Sequence, residues 1–61
     1  MVKVMLFENH KTIFQVREVD GQYSIRDLNT KFEVRGTQLE VSGMLRSIKE
    51  QCKFVDLVVY E

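Results

Sequence analysis

Gly36-Thr37-Gln38-Leu39-Glu40-Val41-Ser42-Gly43-Met44-Leu45-Arg46-Ser47-Ile48-Lys49-Glu50-Gln51-Cys52 is the stretch where the hydropathy of this 61-residue chain changes period. Val41, Met44, Leu45, Ile48 and Cys52 recur at spacings of three, one, three and four, which places them along one stripe of a helix. Thr37 and Glu40 stand three apart, as a capping box requires: the hydroxyl takes the N3 amide and the carboxylate reaches back. The pattern predicts a helix over Gln38–Gln51. Arg46, Lys49 and Lys53 fall in or just past its last turn, where the macrodipole favours cations.

Outside this stretch the period is two. Val2, Val4 and Leu6 alternate with Lys3, Met5 and Phe7, which reads as a first strand. Asn9-His10-Lys11 is turn-like, and Phe14 and Val16 then share one face of a strand from about Thr12 to Val19. Asp20-Gly21 is the strongest local signal, because both central residues of a type I′ turn need positive φ. With Tyr23 and Ile25 resuming the alternation, residues 12–28 read as a β-hairpin. Asn29-Thr30 is a second candidate turn. Phe32 and Val34 follow on a fourth strand that Gly36 is expected to end. After the helix, Val55, Leu57 and Val59 alternate with Phe54, Asp56, Val58 and Tyr60 in a closing strand. The expected fold class is α+β: a small antiparallel-rich sheet in the order β-β-β-β-α-β, with one helix on one face and residues 1–61 as a single domain.

Composition narrows the function. Nine basic and nine acidic residues cancel, which removes the electrostatic footprint of a general nucleic-acid binder. The longest apolar runs are four residues, far short of a membrane span. Met1 is followed by no basic-then-apolar export pattern, and the single unpaired Cys52 suits a reducing cytosol. A chain of this length has a small core, on the order of 3–5 kcal/mol of stability, so packing against a partner is a natural supplement.

No constellation for catalysis stands out. His10 is the only histidine, about 40 positions from Cys52, and the carboxylates are scattered singly. Cys52 lies on the apolar stripe and is expected to be a buried, inert thiol. The three glycines form no phosphate loop, and no cofactor or metal is expected. Lys31-Phe32-Glu33-Val34-Arg35 interleaves charge and apolar residues, with Arg17 and Arg26 on neighbouring hairpin strands. Such a face could bind single-stranded nucleic acid. The plainer reading is a solvated sheet face with cross-strand ion pairs to Glu18, Asp27 and Glu33, so nucleic acid is the weaker expectation.

Protein binding has more support. On a helical wheel Leu39 points away from the Val41–Leu45–Ile48 stripe and shares an outer face with Ser42, Gly43, Arg46 and Glu50. Gly43 in a helix interior costs about 1 kcal/mol relative to Ala, and close approach by another surface is one reason to keep it. The plainer alternative is a tolerated glycine and a leucine covering a loop. A single helix also leaves one sheet face bare. Met5 and Phe7 oppose Val2, Val4 and Leu6, while Phe54, Val58 and Tyr60 oppose Val55, Leu57 and Val59. One set in each strand must therefore face solvent, a partner or a second copy.

The whole chain resembles the Dmd family of small antitoxins from T-even-like phages. The resemblance rests on Val2-Lys3-Val4 with a Phe-bearing first strand, and on a second segment from Phe14 to Arg17-Glu18. It continues with Glu40-Val41 opening the helix, Leu45 four residues on, and a valine-rich closing strand. It implies an inhibitor of a bacterial endoribonuclease toxin of the RnlA/LsoA type, acting in the host cytoplasm to keep phage mRNA from degradation. On that reading the toxin-binding surface is the outer helix face of Leu39, Ser42, Gly43 and Arg46 already placed by the helical wheel, with Val34 as a weaker candidate. Val34 lies near where the family carries a Trp, and Ser42 near a family Asn. This chain has no Trp, and serine lacks the paired geometry of an amide.

Overall fold

The computed structural model describes residues 1–61 and contains β1 (Val2–Glu8), β2 (Ile13–Val19), β3 (Gln22–Asp27), β4 (Glu33–Thr37), α1 (Gln38–Gln51) and β5 (Lys53–Tyr60). The strands form one sheet in the order β4-β3-β2-β1-β5, every neighbouring pair antiparallel. The fold is α+β, as the periodicities imply. Because β4 and β5 occupy opposite edges, α1 carries the chain across the sheet from one edge to the other.

Local chemistry sets the connections. Asp20 and Gly21 both take positive φ, 49° and 78°, so the hairpin closes through two left-handed residues. Between β1 and β2, the Asn9 carboxamide oxygen accepts the amides of Lys11 at 2.8 Å and Thr12 at 3.0 Å. Between β3 and β4, the Asp27 carboxylate accepts the amides of Asn29 and Thr30. The left-handed residue of that turn is Lys31, at φ 68°, rather than Asn29 or Thr30.

Gly36 does not end the fourth strand. β4 runs through it to Thr37 and passes directly into α1. A Cβ at Gly36 would stand 3.1 Å from the Glu40 Cβ, so its missing side chain makes room for the capping glutamate. Thr37 Oγ1 accepts the Glu40 amide at 3.3 Å, and Glu40 Oε1 accepts the Thr37 amide at 2.9 Å. Those bonds hold the Glu40 carboxyl below its usual value.

Val41, Leu45 and Ile48 press onto Phe7, Val16, Tyr23 and Ile25, with Val16 fully enclosed. Met44, placed on the same stripe by spacing, lies at its margin and stays exposed. Strand pairing puts Met5, Phe7, Phe14, Val16, Tyr23, Ile25 and Val34 on this helix-covered face. The helix packs chiefly over β4 and β3; Phe7 of β1 is still enclosed, but β5 at the far edge is left uncovered on the same face.

Val2, Val4 and Leu6 turn to the open face with Val58 and Tyr60. Val4 is buried there, apart from the main core. β5 departs from simple alternation. Phe7 pairs with Phe54 but Leu6 pairs with Asp56, so Val55 is an extra residue in a bulge. The bulge moves Phe54 to the side of Leu57 and Val59, where its ring meets Phe7 edge-on at 5.6 Å between centroids. Grouping Phe54 with Val58 and Tyr60, as strict alternation does, is therefore incorrect.

Candidate functional site

The outer face of α1 carries four of the five residues expected to bind a partner. Leu39 is 85% exposed in the first turn, directly above Gly43 one turn later. A Cβ at Gly43 would meet nothing within 4 Å, so no contact inside the chain requires a glycine there. Ser42 and Arg46 line an open concavity of about 360 Å³ with Gln38, Leu45, Lys49 and Glu50. Ser42 Oγ donates to the Leu39 carbonyl at 2.9 Å, so only its acceptor capacity is free for a partner.

Val34 stands apart from these four. It pairs with Ile25 on the helix-covered face and packs, half-buried, against the core. The resemblance to a family that carries a Trp near this position suggested a shared surface; the parity of β4 sends the side chain under the helix instead.

The open sheet face holds a second feature. Arg17, Ser24 and Arg35 form one cross-strand row, and Gln15, Arg26 and Glu33 the next. Together they line a shallow depression of about 240 Å³. Glu18 and Asp27 pair with Tyr23 and Phe14, which puts them on the opposite face. The cross-strand ion pairs expected from Arg17 and Arg26 to those acids therefore do not form. The ion pair present joins Arg35 to Glu33, two residues away on the same strand. The hydrogen bond from Arg35 holds the Glu33 carboxyl below its usual range, with the charges of Arg35 and Arg26 adding to the effect. Phe32 precedes β4 at the parity of Val34, so it does not join the arginines.

Cys52 is half-buried rather than enclosed. Its amide caps α1 by donating to the Ile48 carbonyl at 2.8 Å, and its Sγ accepts from Asn9 Nδ2 at 3.4 Å. The sheet thus brings the loop that carries His10 near the thiol, but Asn9 is the residue that reaches it. Tyr23 has its phenol pushed above its usual value by burial, with Glu18 beside it reinforcing the shift.

β5 is the third feature, and spacing alone concealed it. Every residue of β5 is exposed, although Phe54, Val55, Leu57, Val58, Val59 and Tyr60 are apolar or aromatic. A valine-rich segment reads as interior; its place at a sheet edge beyond the reach of the helix makes it surface.

The chain is thus a small antiparallel α+β protein presenting a helix face, an arginine-lined sheet face and an apolar edge strand. No His, Cys, Asp or Glu cluster of three or more could hold a metal ion, and no helix is long and apolar enough to cross a membrane. No family model, curated protein or solved structure matches the chain.

Proposed function

We propose that the protein is a phage antitoxin that binds an endoribonuclease toxin of the RnlA/LsoA type and keeps phage mRNA from degradation in the host cytoplasm. The observation that carries this reading is the outer face of α1, with Leu39 projecting at 85% exposure beside a helix-interior glycine that nothing in the chain requires. Such a face lets a partner backbone approach closely at Gly43 while Leu39 enters an apolar pocket. Ser42 accepts a hydrogen bond, and Arg46 offers a charge-assisted one. Inhibition by this route needs no chemistry from the antitoxin: occupying the toxin's RNA path is sufficient. The layout resemblance to the Dmd family supplies the identity of the partner.

The test is RNA cleavage by a purified RnlA/LsoA-type toxin with this protein titrated in. Cleavage should stop near stoichiometric ratio, with the two proteins co-eluting. Ser42→Arg should weaken inhibition while leaving the circular dichroism spectrum unchanged. Cleavage that continues undiminished across several such toxins sinks the proposal.

The arrangement of Arg17, Arg26 and Arg35 around Ser24 favours a second reading, a small single-strand nucleic-acid-binding module. Salt separates the two. Binding to phosphates should fade steeply between roughly 50 and 200 mM salt, whereas a mixed protein interface changes far less.

A further inference from the structure

β5 carries an unmet binding capacity that the helix-face reading does not use. It pairs with β1 on one side only, so a row of backbone donors and acceptors lies open along the other. Both of its faces carry exposed apolar side chains: Phe54, Leu57 and Val59 on the helix side, Val58 and Tyr60 beside Asp56 on the open side. The Leu57 amide donates to Asp56 Oδ1 at 2.8 Å, which shows that it points away from β1, towards the free edge. Proteins usually blunt such an edge with lysines, prolines or a covering element. Here the devices are the bulge at Val55 and the Asp56 carboxylate, leaving Asp56–Tyr60 as a regular stretch.

We infer that β5 is a self-association edge, pairing antiparallel with β5 of a second copy about a two-fold axis at Val58 and joining two sheets into one of ten strands. Val58 is the centre of the regular stretch, so this register needs no residue from the bulge. It sets Val58 against itself and Leu57 against Val59 twice, each pair sharing a face. About four backbone hydrogen bonds form through the outward groups of Leu57 and Val59.

Charge selects the arrangement. Antiparallel addition brings Lys53, at the start of one strand, towards Glu61 beyond the end of the other, and does so twice. Parallel addition would instead align Lys53 with Lys53 and Asp56 with Asp56. An axis at Asp56 would oppose two carboxylates directly, which is unfavourable. Two five-residue stretches bury less than the roughly 800 Å² per partner of a standard interface, so the dimer is an equilibrium set by concentration. The outer face of α1, which packs over the far half of the sheet, stays open in it. One assembly then presents two copies of that face.

Sedimentation equilibrium of the full chain should show a monomer–dimer equilibrium. Leu57→Pro removes an amide that β1 does not use and is tolerated at an edge, so it should weaken dimerisation by roughly tenfold or more with an unchanged circular dichroism spectrum. Asp56→Ala frees the Leu57 amide and should strengthen it.

In a Cys52→Ser background, Val58→Cys should cross-link to itself on mild oxidation. The axis pair is non-hydrogen-bonded, with Cα atoms about 4.5 Å apart, within disulfide range. Val59→Cys should cross-link poorly, because it faces Leu57 of the mate. A strict monomer up to millimolar concentration overturns the inference. So does efficient cross-linking at 59 but not at 58, or a dimer that a folded Leu57→Pro leaves intact. Loss of dimerisation with toxin inhibition retained, or the reverse, distinguishes this edge from the helix face.

Discussion

Replacing Gly43 by alanine separates stability from partner binding in one molecule. The residue lies in the middle of α1 and does not take positive φ, so alanine adopts its backbone without strain. The added methyl meets nothing within 4 Å, so no clash offsets the gain in helix propensity. That gain is about 1 kcal/mol. For a domain of this size it raises the melting temperature by about 4–8 °C. If a toxin packs against the glycine backbone, the same methyl is an intruder in a close contact. Overpacking costs typically about 1–3 kcal/mol, which weakens inhibition roughly 5- to 150-fold. Thermal melts and an RNA-cleavage titration read the two effects. A lower melting temperature would show that Gly43 serves the fold after all. A higher one with inhibition unchanged within about twofold would place Gly43 outside the interface and withdraw the argument from the helix face.

Gly21→Ala should destabilise by about 1–2 kcal/mol in urea titration, since φ of 78° lies where a Cβ is strained although space is free. Ile48→Ala removes buried bulk between α1 and the sheet and should cost about 2–5 kcal/mol, enough to abolish a cooperative thermal transition in so small a domain. Asp27 is held below its ordinary 3.8, chiefly by the Thr12 hydroxyl, and Glu33 and Glu40 below 4.5. Their contributions to stability are complete above those ordinary values and are lost as pH falls through the lower folded ones. Tyr23 acts at the other end, its folded value standing above 10.0. Stability should therefore fall as pH rises through and past 10, and melting temperatures across pH 2–11 should trace a plateau with both limbs. Glu40→Gln should shrink the acid limb.

Much of the fold was legible in local chemistry. The capping box and apolar stripe bound α1 at Gln38 and Gln51, and Asp20-Gly21 bound the hairpin, because each signal is satisfied by residues within a few positions. Gly36 resembles a strand terminator, yet β4 runs through it, because its lack of a side chain accommodates Glu40 four residues later. On the candidate site, Leu39, Ser42, Gly43 and Arg46 were placed on one outer face by helical geometry alone, and they lie there. Val34 was not legible in the same way, since its direction depends on the pairing of β4 with Ile25.

Sequence alone determined the elements, their order and the helix face, because hydrogen bonds and side-chain periodicity inside one element are local. Tertiary structure decided what each face meets. Strand order put β5 on the edge opposite β4, and the position of α1 left it bare, so a run of valines with the composition of a core became surface. Cross-strand parity gathered Arg17, Arg26 and Arg35 on one side and sent Glu18 and Asp27 to the other. A two-residue period says that neighbours alternate, but which face is buried depends on contacts between segments far apart in the chain.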